Sequence, residues 1–170
     1  MDKDNLEAIA GRYLDSVYRV AVNYCKNTEN AADAVQNAFL KLMTTDTAFA
    51  DDEHVHRWLL RVTINECKGF WRSFWHRNVV SLDALCEESG RQPIQREPDR
   101  DRREQMRELW EAVTKLPAKY SVVLHLHYKE GYSVDEIAEI LGLSSQNVSV
   151  RLYRGRKKLK ESLTKGEWRL

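Results

Sequence analysis

The residues best suited to a chemical role lie within residues 133–156, where polar and basic side chains follow a predicted pair of short helices. Ala138 stands where two helices must approach closely, and Gly142 frees the turn between them from steric strain at Cβ. The apolar positions of this stretch are Ile137, Ala138, Leu143, Val148 and Leu152. This pattern is typical of a helix-turn-helix, whose second helix enters the major groove of DNA.

Side chains at the start of that second helix carry hydroxyl or amide groups that can bond to bases or phosphates. They are Ser145, Gln146, Asn147 and Ser149. A run of cations follows, namely Arg151, Arg154, Arg156, Lys157, Lys158 and Lys160. So many cations on one helix repel each other unless phosphates neutralise them. A solvated amphipathic helix explains the basic run alone equally well, but the run together with the turn favours DNA binding.

A second basic group lies on a predicted helix spanning residues 54–77, where cations alternate with aromatic residues. The cations are Arg57, Arg61, Lys68, Arg72 and Arg77, and the aromatic residues include Trp58, Phe70, Trp71, Phe74 and Trp75. Basic residues can follow a nucleic-acid backbone, and aromatic faces can stack on unpaired bases. Core packing is the ordinary alternative for these rings, and the sequence leaves open which applies to Trp71 and Trp75.

Nothing in the sequence predicts catalysis. The five histidines do not group with acids or thiols, and P-loop, G-x-S-x-G and HExxH motifs are missing. The three cysteines are scattered without a CxxC pair, which argues against a structural metal site or a disulfide framework. We therefore expect no catalytic residue, metal or cofactor, and a nucleic-acid enzyme is the least favoured class.

Helical periodicity dominates the chain and predicts an all-α protein. Helices are expected at about residues 5–26, 29–44, 54–77, 106–116, 118–129, 134–141 and 145–163. Between residues 81 and 105 the apolar periodicity stops, and prolines and dense charge predict a flexible linker between two small domains. An ordered surface loop is the alternative. Net charge is only +1, yet basic blocks follow acidic ones, as expected for two polyanion-binding surfaces.

The sequence predicts a cytoplasmic location. Residues 1–7 are polar and partly acidic, unlike a secretory signal, and no apolar run reaches membrane-spanning length.

In order and spacing, these segments resemble the extracytoplasmic-function sigma factors, which form group IV of the sigma-70 family. Residues 33–42, with Val35, Gln36 and Phe39, look like the region 2.2 motif. Residues 58–65 look like the start of regions 2.3 and 2.4, and residues 80–83 like the motif that closes region 2. Residues 116–120, 132–138 and 148–157 look like region 4. The resemblance implies region 2 in residues 1–80, a linker in residues 81–105 and region 4 in residues 106–165.

The resemblance implies an alternative sigma factor, which binds core RNA polymerase and directs promoter-specific transcription initiation. It assigns contact with the clamp helices of the β′ subunit to Asp33, Gln36, Asn37 and Lys41, and it adds the β flap as a second polymerase contact. Asn37 stands where the family usually has glutamate, which puts that contact in doubt. An anti-sigma factor is a further expected partner.

For promoter DNA, the resemblance assigns the minus-10 element to the third helix and the minus-35 element to the last. The minus-10 residues are Arg57, Arg61, Asn65, Lys68, Trp71 and Arg72. The minus-35 residues are Ser145, Gln146, Asn147, Ser149, Arg151, Arg154, Arg156 and Lys157. The acidic loop at residues 46–53 resembles the loop that captures a flipped minus-10 base. Unusual residues at 146–150 leave the promoter sequence undetermined.

A free-standing helix-turn-helix regulator is the main alternative from another functional class. Such a protein usually dimerises on palindromic sites and has no need of a separate polymerase-binding domain. Binding to core polymerase distinguishes the two.

Overall fold

The computed structural model describes residues 3–77 and 100–165, and at residues 73–77 and 100 it describes the backbone alone. Seven α-helices and no β-strand occur in these ranges. They are α1 (Lys3–Cys25), α2 (Thr28–Thr44), α3 (Asp52–Arg77), α4 (Arg100–Lys115), α5 (Ala118–Leu124), α6 (Val134–Leu141) and α7 (Ser145–Lys165). The predicted all-α class is therefore confirmed. No described helix has the length and apolar character that crossing a membrane requires.

The N-terminal half, residues 3–77, is a bundle in which α1, α2 and α3 each pack against the other two. Asn27 caps α2, since its side chain accepts a hydrogen bond from the backbone N–H of Asn30 at 2.9 Å. The rings of Phe49 and Trp58 meet edge to face with centroids 5.7 Å apart, which fixes the loop before α3 against the bundle. The core of this three-helix bundle contains Ile9, Val17, Val20, Ala34, Leu42, Leu59, Leu60 and Ile64.

The C-terminal half, residues 100–165, contains α4 to α7. A capping box opens α6, in which Ser133 and Glu136 bond reciprocally. Gly142 ends α6 with a φ of 66°, a backbone conformation that glycine adopts without strain. At Gly155, α7 lies so close to α5 that an added Cβ would be 3.2 Å from Leu124 Cδ1.

Two features of the described helices differ from the sequence expectation. First, α4 begins at Arg100, inside the predicted linker of residues 81–105. Its residues 101–108 are exposed, so the strong helix formers there need no apolar stripe to be helical. Second, Met43 follows Phe39 by four residues, so helical periodicity places both on one side of α2, yet Met43 is 51% exposed. The rest of the predicted linker, up to residue 99, and the motif at residues 80–83 lie outside the described residues.

The helix predicted at residues 118–129 is not uniform. After α5, residues His125–Lys129 form one π-helical turn, in which the backbone N–H of Glu130 donates to the carbonyl of His125 at 3.1 Å. The wider turn rotates the following residues relative to a continuous α-helix. It changes which side chains face the N-terminal half.

Candidate DNA and protein interfaces

The beginning of α7 is fixed by Ser144 rather than Ser145, two residues that the sequence did not distinguish. Ser144 Oγ accepts a hydrogen bond from the backbone N–H of Asn147 at 3.1 Å. Ser145 instead donates from Oγ to Asp135 Oδ1 at 2.5 Å, which ties the helix to α6. Val148 and Leu152 are buried and hold α7 against the rest of the C-terminal half.

The side of α7 opposite those buried residues carries an outward stripe, which we define as Gln146, Val150, Tyr153 and Lys157. All four are exposed, and they follow one another at steps of four, three and four residues. Val150 and Tyr153 are 40% and 64% exposed, although both are large hydrophobic residues. The predicted minus-35 contacts include Gln146 and Lys157 but not Val150 or Tyr153. Their spacing of four and seven residues from Gln146 is the sequence signal that places them on the same side of the helix.

Other predicted DNA contacts of α7 lie beside the outward stripe. Ser149 and Arg154 are exposed. Arg156 is also exposed, and it donates to the hydroxyl of Tyr128 at 3.1 Å. These side chains border the stripe in the way that phosphate-binding residues border a base-reading helix in the major groove.

Arg151 lies on a different side of α7 from the outward stripe. Its Nε donates to Asn147 Oδ1 at 2.8 Å, so this bond also holds the Asn147 side chain. The Arg151 charge acts on Tyr24 and Lys68, which belong to the N-terminal half. The structure thus places Arg151 toward the contact between the two halves.

The predicted minus-10 residues of α3 share one face, at three- and four-residue steps from Arg57 to Arg72. Arg61, Asn65 and Arg72 are exposed on it. Two of the other predicted minus-10 residues, Arg57 and Lys68, contact the C-terminal half. Arg57 forms an ion pair with Glu136 at 3.7 Å. Lys68 Nζ donates to the backbone carbonyl of Leu141 at 3.5 Å, and its pKa is lowered, first by burial and then by the neighbouring arginines.

Trp71 is half-buried against α1 rather than directed at solvent. Its Nε1–H donates to the backbone carbonyl of Tyr24 at 3.2 Å. This bond and the partial burial give the indole a structural role in the N-terminal half. The side chain of Trp75 lies outside the described residues, so the prediction for it stays open.

The predicted polymerase contacts on α2 divide into two pairs. Asp33 and Gln36 are exposed. Asn37 Nδ2 donates to Glu66 Oε2 of α3 at 3.1 Å, and Lys41 forms an ion pair with the same carboxylate. The bond from Lys41 is the largest cause that lowers the pKa of Glu66. Sequence reasoning missed Glu66, because a bond between residues on separate helices leaves no local pattern.

Next to Gln36, an open groove of about 580 Å³ runs between α1 and α2. Its rim includes Leu14, Leu40 and Met43, which are 47%, 53% and 51% exposed. The remaining lining residues are Asp15, Tyr18, Ala32, Val35, Gln36 and Phe39. An exposed apolar patch rimmed by polar side chains is typical of a protein-binding surface. Helical periodicity alone did not separate Met43 from the core.

The two halves are joined by buried polar contacts. Asn23 Nδ2 lies 3.1 Å from His125 Nδ1, and both residues are almost completely buried. Ser121 Oγ donates to the carbonyl of Asn23 at 3.5 Å. Lys26 Nζ reaches Ser121 Oγ at 3.1 Å. A contact rich in polar groups is typical of domains that can separate, since water can replace each bond.

Within residues 3–77 and 100–165, no three His, Cys, Asp or Glu side chains lie close enough together to hold a metal ion.

Comparison with known families gives two matches that together span most of the chain. The model of sigma-70 region 2 matches residues 9–77, and the model of sigma-70 region 4 matches residues 106–159. The first match covers most of α1 and all of α2 and α3, and the second covers most of α4 to α7.

Similar proteins agree with these matches. The RNA polymerase sigma factor SigV of Bacillus subtilis is 29% identical over 149 residues, covering 87% of this chain and 84% of the relative. The ECF RNA polymerase sigma factor SigW of the same organism is 26% identical, covering 95% of this chain and 90% of the relative.

Two solved structures share the fold. A structure of CnrH in complex with the cytosolic domain of CnrY has a TM-score of 0.63 and 20% identity, covering 98% of this chain and 92% of that one. The sigma factor RpoE of Bartonella quintana, solved with the anti-sigma factor NepR, has a TM-score of 0.63 and 18% identity, covering 97% and 98%.

Proposed function

The chain belongs to the sigma-70 family of RNA polymerase sigma factors, and on that premise we propose that it docks on core polymerase through α2 and reads promoter DNA through α3 and α7. It is an alternative sigma factor that directs transcription. We place it in group IV of the family. The observation that carries the proposal is that the region 2 and region 4 matches fall on two helical halves, each with its own basic helix.

For polymerase binding, we assign the exposed side of α2 and the adjoining apolar groove. Asp33 and Gln36 supply polar contacts, and Leu40 and Met43 supply apolar area beside them. Asn37 and Lys41 act from behind this surface, because both hold Glu66 and thereby fix α2 on α3. The combination of an apolar centre and a polar border is usual in protein interfaces. The β flap is the second polymerase contact that we propose, through region 4.

For the minus-35 element, we assign base reading to the outward stripe of α7. Gln146 offers a donor and an acceptor to a base edge, and Val150 offers an apolar surface to a thymine methyl group. Lys157, Arg154 and Arg156 bind phosphates, and Ser145, Asn147, Ser149 and Arg151 support or border the contact.

For the minus-10 element, we assign Arg61, Asn65 and Arg72 together with Arg57 and Lys68. The last two contact the C-terminal half in the structure described here. They become available to DNA only when the halves separate. Trp71 contributes by holding α3 on α1.

We further propose that an anti-sigma factor regulates this chain in the cytoplasm. The support is that two similar folds were solved as complexes, one of them with a protein named as an anti-sigma factor. The apolar groove between α1 and α2 is wide enough to take side chains of such a partner.

Binding to purified core polymerase tests the proposal. Asp33→Ala with Gln36→Ala should weaken binding by about tenfold, as expected when two interface contacts are lost. As a control, Gln105→Ala makes the same exchange as Gln36→Ala, but at an exposed site of α4, and it should leave the affinity for core polymerase unchanged. Equal affinity for all variants would remove α2 as the docking surface, and no binding by any of them would remove the sigma assignment.

A further inference from the structure

A buried histidine lies at the contact between the two halves. His56 of α3 is 6% exposed, and its ring stacks on Tyr13 of α1 with centroids 4.5 Å apart. Its Nε2 lies 2.9 Å from Ser16 Oγ, and its Nδ1 lies 2.7 Å from the hydroxyl of Tyr132. Since Tyr132 belongs to the C-terminal half, this imidazole bonds to both halves.

The two bonds suit a neutral ring. Burial raises the pKa of Tyr132, so its hydroxyl keeps its proton, and either this hydroxyl or Nδ1 is the donor of the 2.7 Å bond. In a neutral ring Nε2 takes the opposite role toward Ser16 Oγ: it donates where Nδ1 accepts, and it accepts where Nδ1 donates. A neutral imidazole offers one donor and one acceptor, whereas a protonated one offers two donors. Protonation therefore removes the one acceptor of the ring and places a positive charge at a site that is only 6% exposed.

Charged groups face His56 from both halves. Glu53 and Arg57 lie on its own helix, and Glu130 approaches from the C-terminal half, bonded to His125 Nε2 at 3.2 Å. Ser16 of α1 also bonds to Glu130. The two carboxylates favour a charged imidazole, but burial outweighs them, so the pKa of His56 is lowered from its ordinary value.

We propose that His56 is an acid-sensitive latch, which as a neutral ring holds the two halves together and on protonation releases them. The released state frees Arg57 and Lys68 from Glu136 and Leu141, so acid exposes α3. That this exposure makes α3 available to minus-10 DNA rests on the proposed function, whereas the latch itself does not.

The direction of the pH effect follows from proton linkage. Above the ordinary histidine pKa of about 6.5, His56 is neutral in both states and the closed state keeps its full advantage. As the pH falls below that value, the open state takes up the proton first, since the closed-state pKa is the lower one. The closed-to-open ratio then falls by up to about tenfold per pH unit until the closed-state pKa is reached.

Small-angle X-ray scattering of the full chain, at about pH 7.5 and about pH 5.5, tests the latch, with circular dichroism recorded on the same samples. The wild type should expand in acid while its helix content stays constant. His56→Gln should lose this pH response, because glutamine does not titrate. His54→Gln, the same exchange two residues before His56 in the chain, should respond like the wild type.

Three outcomes of this pH experiment would overturn the proposal. The first is a wild-type radius that does not change with pH. The second is a His56→Gln variant that still expands as the wild type does, and the third is expansion that accompanies loss of helix. Tyr132→Phe gives an independent check, since loss of its hydroxyl should enlarge the chain already at neutral pH. An unchanged radius in that variant also contradicts the latch. None of these measurements needs polymerase or a promoter, so their failure leaves the sigma assignment standing.

Discussion

Replacing Val150 with alanine tests which side of α7 faces the bases in the major groove. Val150 is 40% exposed in the outward stripe, so DNA can cover only that part of it. Burying a whole valine side chain gives about 1.5 kcal/mol at the lower end, and 40% of it gives about 0.6 kcal/mol. The methyl group of a contacted thymine adds up to about 0.8 kcal/mol. We expect Val150→Ala to lose about 0.5–1 kcal/mol, or two- to fivefold in affinity, at one thymine.

The assay compares promoters in which each minus-35 thymine is replaced in turn by uracil, which removes only the methyl group. At the contacted position, uracil should weaken the wild type but not Val150→Ala, so the two changes are not additive. Val150→Thr keeps the branched shape and should behave like the alanine variant, since its hydroxyl is poorly placed on a methyl group. If every thymine responds equally in wild type and variants, Val150 does not face the bases and α7 is oriented differently.

Three further outcomes are expected. Gln146→Ala should change which minus-35 sequence is preferred. Lys157→Ala should instead weaken binding to all promoters alike and lower the slope of log affinity against log salt concentration by about one unit. If both variants lost the same affinity on every promoter of a library, this division of roles would be refuted. Glu66→Gln should lower the free energy of unfolding, measured by urea titration, by at most about 1 kcal/mol. Because the bond from Lys41 lowers the pKa of Glu66, the stability difference between wild type and variant should persist at neutral pH. It should vanish as the pH falls through the folded-state pKa of Glu66. Trp71→Phe should lower stability by about 1 kcal/mol through loss of its bond to α1, whereas unchanged stability with poorer promoter melting would favour a stacking role.

The sequence predicts those features of the fold that local chemistry determines. The capping box of Ser133 and Glu136 and the turn at Gly142 follow from residue types at fixed offsets, and both are present. The bounds of α1 to α3 follow from apolar periodicity and a capping residue. An exposed helix gives no such pattern, which explains why the first turns of α4 were placed in the linker.

Contacts between distant parts of the chain could not be predicted in the same way. The pairing of Asn37 and Lys41 with Glu66 joins helices that are separated in sequence, and His56 meets Tyr132 only because the two halves pack together. The π-helical turn after α5 also changes the facing of residues that a regular helix would place elsewhere. The predicted roles of residues in polymerase and DNA binding stay predictions.

Transcription in vitro tests the central claim most directly. Core RNA polymerase is combined with a library of promoters, in the presence and absence of this chain, and the transcripts are sequenced. We expect transcripts that depend on the chain and that share one minus-10 and one minus-35 element at a constant spacing. No chain-dependent transcript, together with polymerase-independent binding of the chain to palindromic DNA, would contradict the claim.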